Sequence, residues 1–269
     1  MGEQKSKGTS LQTKPTPESQ PLPLPGEKRI YVRQMFGRIA RRYDLMNHLM
    51  TFGRDRVWRR HTAGEVLPAL PDPSSTGMVH RGRILDMATG TGDLAYEMLR
   101  QRPTTQVVGL DFVPEMLLLA RQKAKNPVPG PALPAWVTGD ALETPFPKGT
   151  FDAVITAFAL RNVTDIPATF AEMARVTRPG GRIACLEIAK PRLPLFQRLF
   201  ALYFYRLVPR LGGWITGERA AYTYLPHSLT DFLTPEEIAQ VMRRTGWHDV
   251  HYRRLMLGTV AVHVGVRTA

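Results

Sequence analysis

The sequence predicts an α/β protein built on a mostly parallel sheet with helices on both faces, and three observations carry that prediction. Strand-like and helix-like segments alternate from residue 84 to residue 188, the pattern of successive βαβ units. The first strand, Ile84 to Ala88, runs into the turn Gly90-Thr91-Gly92 and then into a helix. Glycine there admits backbone angles that other residues resist and lets a ligand press on the main chain. A second strand, 106–110, ends in Asp111, about 20 residues beyond the turn, where an acidic residue meets a ribose in nucleotide-binding units.

Taken in order, residues 1–27 are rich in Pro, Gln, Ser, Thr and Lys, cannot bury a core, and are predicted to be a disordered tail. Residues 28–68 read as helical, with Val32, Met35, Phe36, Ile39 and Tyr43 at the three-and-four spacing of a buried stripe. A loop, Pro71 to Gly82, leads into strand 84–88. Helix 93–101, strand 106–110 and helix 114–125 follow, then a proline-containing loop and strand 135–138. Strand 151–156 and helix 167–177 come next. Pro179-Gly180-Gly181 stops that helix before strand 182–188. An insertion, 190–233, precedes helix 235–245. Segments 249–254 and 259–266 complete a set of seven strands as an antiparallel hairpin at the sheet edge.

The chain of 269 residues carries a formal charge of +13, which suits a polyanion or an anionic membrane surface. No aromatic–basic nucleic-acid motif accompanies that charge, so no nucleic acid is expected as a partner. No apolar run approaches the length of a membrane span. The N-terminus lacks a secretory h-region, and residues 1–28 hold acids but no Arg, unlike a mitochondrial transit peptide. The single cysteine, Cys185, sits in an apolar strand as a small core hydrophobe. A cytoplasmic location is the expectation, with peripheral attachment to the inner face of the cell membrane. No His/Cys/Asp cluster has metal-ligand spacing.

The turn also satisfies a dinucleotide fingerprint, through Gly90-Thr91-Gly92-Asp93-Leu94-Ala95. Electrostatics separates the readings. A pyrophosphate seeks a bare helix N-terminus, whereas Asp86 and Asp93 flank this turn and no Lys or Arg lies between 84 and 99. Two carboxylates repel a diphosphate and suit the cationic sulfonium and ammonium of S-adenosyl-L-methionine. The candidate cofactor-binding set is Asp86, Gly90, Thr91, Gly92, Asp111, Asp140 and Ala141. In it Asp111 takes the ribose hydroxyls. Asp140 and Ala141, after strand 135–138, meet the adenine at the carboxyl end of the sheet.

Three further stretches resemble the C-methyltransferases of menaquinone and ubiquinone biosynthesis, within the class I S-adenosylmethionine-dependent, Rossmann-like fold. They are Tyr43-Asp44-Leu45-Met46-Asn47 through Gly53 and Trp58, Phe158-Ala159-Leu160-Arg161-Asn162-Val163 leading to Leu186-Glu187-Ile188-Ala189-Lys190-Pro191, and Ala221-Tyr222-Thr223-Tyr224-Leu225-Pro226-His227-Ser228. The resemblance spans roughly residues 30–266. It implies methyl transfer to a ring carbon of a reduced polyprenyl quinone, with residues 28–68 as a lid over the site. It also carries Thr91, Asp111, Asp140 and Ala141 onto cofactor contacts. The sequence departs from the family pattern at Ala157, where a serine sometimes adds a cofactor contact, at Gly37, and at Gly217-Glu218-Arg219.

A ring carbon becomes nucleophilic when the adjacent hydroxyl ionises, so the enzyme needs a stabiliser for phenolate charge. Arg161 and Asn162, past the end of strand 151–156, are the candidate catalytic residues together with Tyr43. Arg161 remains charged at any ordinary pH and fits phenolate stabilisation, with a water carrying the proton and Asn162 orienting it. His48 and His227 are candidate proton acceptors. Phe196, Phe200, Tyr203 and Leu207 form one predicted helical stripe, flanked by Lys190, Arg192 and Arg210. That segment suits an anionic bilayer or the roof of a prenyl channel. With no organelle signal seen, demethylmenaquinol is the expected substrate and a ubiquinone-pathway benzoquinol the alternative; a homodimer stands open, as do three other roles: RNA methylation, nicotinamide chemistry, and a non-catalytic scaffold in a quinone-synthesis complex.

Overall fold

The structure, a computed structural model, describes residues 26–71, 81–124 and 133–269. The predicted N-terminal tail and most of the two predicted loops, 72–80 and 125–132, lie outside the described residues. Seven strands form one sheet: β1 (Arg83–Met87), β2 (Gln106–Asp111), β3 (Ala135–Thr138), β4 (Phe151–Ala157), β5 (Thr177–Ile188), β6 (Trp247–Leu255) and β7 (Val260–Arg267). Their order is β3-β2-β1-β4-β5-β7-β6. The first five run parallel, and β7 pairs antiparallel with both β5 and β6. Chain order reverses between β1 and β4, so the crevice at their carboxyl ends is where such a sheet receives ligands.

Alternation along each strand sends its residues to opposite faces. Leu85 and Met87 of β1 pack with Phe170, Met242 and Trp247, from or beside helices α5 (Ile166–Val176) and α9 (Pro235–Arg244). Ile84, one residue out of phase, packs against Leu94, Met98 and Val66 of α3 (Asp93–Gln101) and α2 (Asp55–Val66). Thr234 and Glu237 close a reciprocal capping box at the start of α9. Cys185 is a buried free thiol in the first of these layers.

The predicted helical stretch 28–68 is two helices, α1 (Lys28–Met50) and α2, because Phe52 and Gly53 take left-handed angles (φ 52° and 72°) at the break. The predicted stripe also divides. Val32, Met35 and Ile39 are buried, whereas Phe36 and Tyr43 face a cleft. Strand β5 starts at Thr177, five residues earlier than predicted. Thr177 pairs with Phe151 and Arg182 with Ala153, so Pro179-Gly180-Gly181 is an irregularity inside the pairing.

The insertion folds as α6 (Pro194–Leu202), α7 (Val208–Thr216) and α8 (Arg219–Thr230), with one π-helical stretch over Tyr203–Leu207. The wider π turn rotates everything after it. Phe204 and Val208 go into the core with Tyr222 and Met46, while Leu207 is 46% exposed instead of completing the predicted stripe. This helical cluster includes Phe112 and Ile188, which lie at the carboxyl ends of β2 and β5, and so α1 and the insertion cover that end of the sheet.

Candidate active site

The glycine turn is held from below. Asp86 is fully buried, and its Oδ2 accepts a hydrogen bond from Thr89 Oγ1 at 2.5 Å. Burial pushes its carboxyl up to about 7. Gly92 has φ 80°, and a Cβ there would lie 2.4 Å from Cη2 of Trp136, so only glycine fits both the angle and the space. Asp111 closes the turn from the neighbouring strand: Oδ2 accepts from Gly90 N at 2.7 Å and Oδ1 from Val113 N at 2.9 Å. Burial raises it to about 6 despite these two bonds.

A cleft runs along the carboxyl ends of β1, β2 and β4. Ala88, Gly90, Asp111, Asp140, Ala141, Tyr43 and Asn162 all line it. Of the predicted cofactor set, Gly90, Asp111, Asp140 and Ala141 therefore stand on the wall, whereas Asp86, Thr91 and Gly92 lie behind it. Ala157, the departure from the family serine, is also on the wall.

One electrostatic expectation needs correction. Asp93 is not a free carboxylate offered to a cation: Lys123 Nζ is 2.5 Å from it and Arg59 Nη2 is 3.7 Å away. Burial opposes its ionisation, but Arg59 and Lys123 hold its carboxyl below the usual range. Sequence distance hid both partners, which come from α2 and from α4 (Pro114–Lys123). Asp140 is likewise engaged, by Arg29 Nη2 at 2.9 Å and by Leu142 N at 3.0 Å. The other end of α1 is tied down as well. Thr91 Oγ1 donates to Asp44 Oδ1 at 2.6 Å, and Lys123 Nζ lies 2.7 Å from Asp44. Helix α1 thus spans the cleft with an ionic anchor at each end. Among the described residues the one cation on the wall, Arg29, is paired with Asp140. Carboxylate acceptors beside main-chain atoms fit the ribose and cationic centre of S-adenosylmethionine.

Beyond Tyr43 and Phe158 lies a second cavity of about 330 Å³. Its walls are largely apolar and aromatic, including Trp58, Ile188, Phe196, Phe200 and Tyr203. Tyr43 and Phe158 line both cavities. Phe158 adopts φ 60° and Ala88 φ 55°, strained angles of the kind that cluster at functional sites and cost of order 1–3 kcal/mol each. Arg161 and Asn162, in a short 3₁₀ turn after β4, grip the carbonyl of that strained residue. Arg161 Nη1 donates to Phe158 O at 2.8 Å and Asn162 Nδ2 to the same oxygen at 3.4 Å. Arg161 lines the aromatic cavity and Asn162 the cleft. The helix cap that follows belongs to Asp165, which accepts from Ala168 N.

Sequence reasoning gave no role to Glu187, which is 1% exposed and carries an oxygen 3.5 Å from Arg161 Nη1. Burial raises its carboxyl, with Arg161 opposing. The acid at the end of β5 was visible in the family-like run but had no spacing signal linking it to Arg161. His227 lines a separate cleft with Lys28 and Asp231, on the far side of Arg161. His48 is bonded to Asp55. Among the described residues no His/Cys/Asp/Glu group could hold a metal ion, and no helix is long and apolar enough to cross a membrane.

Sheet order, glycine turn and acid-ended strands together define the class I methyltransferase fold, the class that implies S-adenosylmethionine as methyl donor. A solved methyltransferase from Thermotoga maritima, titled a possible histamine N-methyltransferase, superposes with a TM-score of 0.58 at 16% identity, covering 87% of this chain and 99% of that one. The chain belongs to the ubiE/COQ5 methyltransferase family, whose model matches residues 25–267. It is 46% identical to a demethylmenaquinone methyltransferase of Roseiflexus castenholzii over 91% of this chain and 97% of the relative. It is 41% identical to a ubiquinone/menaquinone biosynthesis C-methyltransferase of Desulfotalea psychrophila, over 88% and 90%.

Proposed function

We propose that this methyltransferase transfers the methyl group of S-adenosylmethionine to a ring carbon of demethylmenaquinol, a reduced polyprenyl naphthoquinone. The observation that carries the reading is the shared wall. Tyr43 and Phe158 separate a cleft lined by Asp111 and Asp140 from an aromatic cavity that holds Arg161. Bound S-adenosylmethionine supplies an electrophilic methyl group. Asp111 would hold the ribose hydroxyls and Asp140 with Ala141 the adenine, Arg29 yielding its ion pair as they bind. Asp86 and Gly92 keep the turn in shape, and Thr91 anchors α1 through Asp44.

Tyr43 and Phe158 orient the quinol ring, and such alignment is worth up to about 7–11 kcal/mol in well-oriented pairs. Arg161, always charged, stabilises the phenolate that makes the ring carbon nucleophilic, and Glu187 holds the guanidinium in place. Asn162 orients a quinol oxygen or a water beside it.

The polyprenyl tail would follow the aromatic cavity outward past Phe196 and Phe200. On the outer surface of the same helices Leu195, Leu202 and Trp214 are exposed, beside exposed Arg198, Arg206 and Arg210. An apolar patch edged by arginine suits peripheral binding to an anionic cytoplasmic leaflet. The lipid-facing residues are thus Leu195 and Leu202, whereas Phe196, Leu199 and Phe200 line the channel.

Incubation with S-adenosylmethionine and demethylmenaquinol, beside a demethylated ubiquinol precursor, tests the substrate by mass spectrometry. A gain of one CH2 on the naphthoquinol supports the reading. Gain on the benzoquinol alone would transfer the assignment to that ring, and gain on neither would refute it. Leu195→Ser with Leu202→Ser should abolish flotation with anionic liposomes, and unchanged flotation would refute the membrane role.

A further inference from the structure

Among the described residues the aromatic cavity is lined by one carboxylate, and the phenolate chemistry above does not use it. Asp55, in the first turn of α2, is 1% exposed and lines the cavity with Tyr43 and Arg161. Its Oδ1 faces His48 Nδ1 at 2.9 Å and accepts from Thr51 Oγ1 at 3.0 Å. Its Oδ2 has a long contact of 3.5 Å from Arg59 Nη1. His48 is 30% exposed, so the pair leads from a buried apolar wall to water. An acid placed this way in an apolar channel is costly unless it is used or fully paired, and Oδ2 is the less engaged oxygen.

We propose that Asp55 is the proton acceptor for the quinol hydroxyl and that His48 is the positioning partner connecting it to solvent. The inference rests on the quinol reading above. In the step, the hydroxyl O–H bond breaks, its electron pair stays on the ring oxygen, and the proton goes to Asp55 Oδ2. The phenolate gains Arg161 as its counter-charge while Asp55 becomes neutral, so the buried site keeps its net charge. The hydrogen later lost from the methylated ring carbon returns to the ring oxygen by way of water. One proton per turnover then leaves Asp55 through His48, which is partly open to water. The pair faces Arg56 and Arg59 on α2, with Asp93 behind Arg59, and meets Tyr43, Arg161 and Tyr203 across the cavity. These groups set the electrostatic field around the pair.

The test compares the wild-type enzyme with Asp55→Asn, His48→Asn and the exchanged pair His48→Asp/Asp55→His, measuring kcat, KM, pH profile, melting temperature and cofactor affinity by calorimetry. Asp55→Asn should lower kcat by about 10²-fold or more, the usual share of a general base, with cofactor affinity unchanged. Its residual rate should climb with pH as hydroxide replaces the missing acceptor. The exchanged pair, which restores a base on the cavity wall and its partner, should recover most of kcat. Asp55→Asn within threefold of wild type would overturn the proposal. So would an exchanged pair no faster than the single variant, or a rate loss that tracks loss of cofactor binding or stability. Wild-type turnover of demethylmenaquinol in the same assay tests the substrate reading separately.

Discussion

Replacing Asp86 with Asn should make the ligand-free protein more stable at pH 8, and more stable by less than half as much at pH 5. Asp86 has a folded-state value of about 7 against an ordinary value of 3.8. The folded protein therefore holds a proton that the unfolded chain has released between about pH 4 and pH 7. Stability from this group is fully present below pH 4 and is lost as pH rises through 7. Three units at about 1.36 kcal/mol each amount to about 4 kcal/mol. The amide carries no charge, keeps the volume, and still offers an oxygen to Thr89 Oγ1. The Thr89 hydrogen bond to the carboxylate is already contained in the folded value of about 7. A gain of about 4 kcal/mol at pH 8 corresponds to about 10 °C in Tm for a domain of this size. Urea and thermal melts of both proteins at pH 5, 6.5 and 8 measure the difference directly. Asp111, also raised by burial, to about 6, leaves a smaller slope of the same sign in the variant. An Asn-minus-Asp difference that is flat across this range would refute the argument, because it would mean that the buried carboxyl is not protonated in the fold.

Two other substitutions probe the frame of the site. Gly92→Ala should cost about 3 kcal/mol or more, combining a left-handed angle with a Cβ 2.4 Å from Trp136; a Tm within 2–4 °C of wild type, the equivalent of about 1 kcal/mol, would contradict it. Glu187→Gln leaves the buried Arg161 guanidinium without its counter-charge, a loss of about 3–5 kcal/mol, and should lower both Tm and kcat; unchanged kcat would show that Arg161 keeps its place without the pair.

Much of this site was legible because its parts are local. The turn Gly90-Thr91-Gly92, the acid ending β2 and the acid after β3 are fixed by strand-turn-helix geometry within a few residues, and the structure aligns them along one cleft. The run at 158–163 likewise announced Arg161 and Asn162. What stayed hidden depended on contacts between distant elements. Lys123 and Arg59 neutralise Asp93 from α4 and α2, so an argument based on charges adjacent in sequence misjudged that carboxylate. The π turn at Tyr203–Leu207 shifted a helical stripe that strict 3.6 periodicity had extended to Leu207.

The sequence by itself determined the alternation of strands and helices, the parallel sheet with its edge hairpin, and the residues at the strand ends. Each of these follows from local periodicity and from glycine's backbone freedom. Tertiary structure alone decided which charges cancel and which cavity each aromatic side chain faces, as well as the coupling of α1 to the glycine turn through Asp44, Thr91 and Lys123. Those outcomes depend on distances and solvent exclusion between segments far apart in the chain. Coulomb energy and desolvation vary with position in space, and a linear pattern of residues carries no such positions.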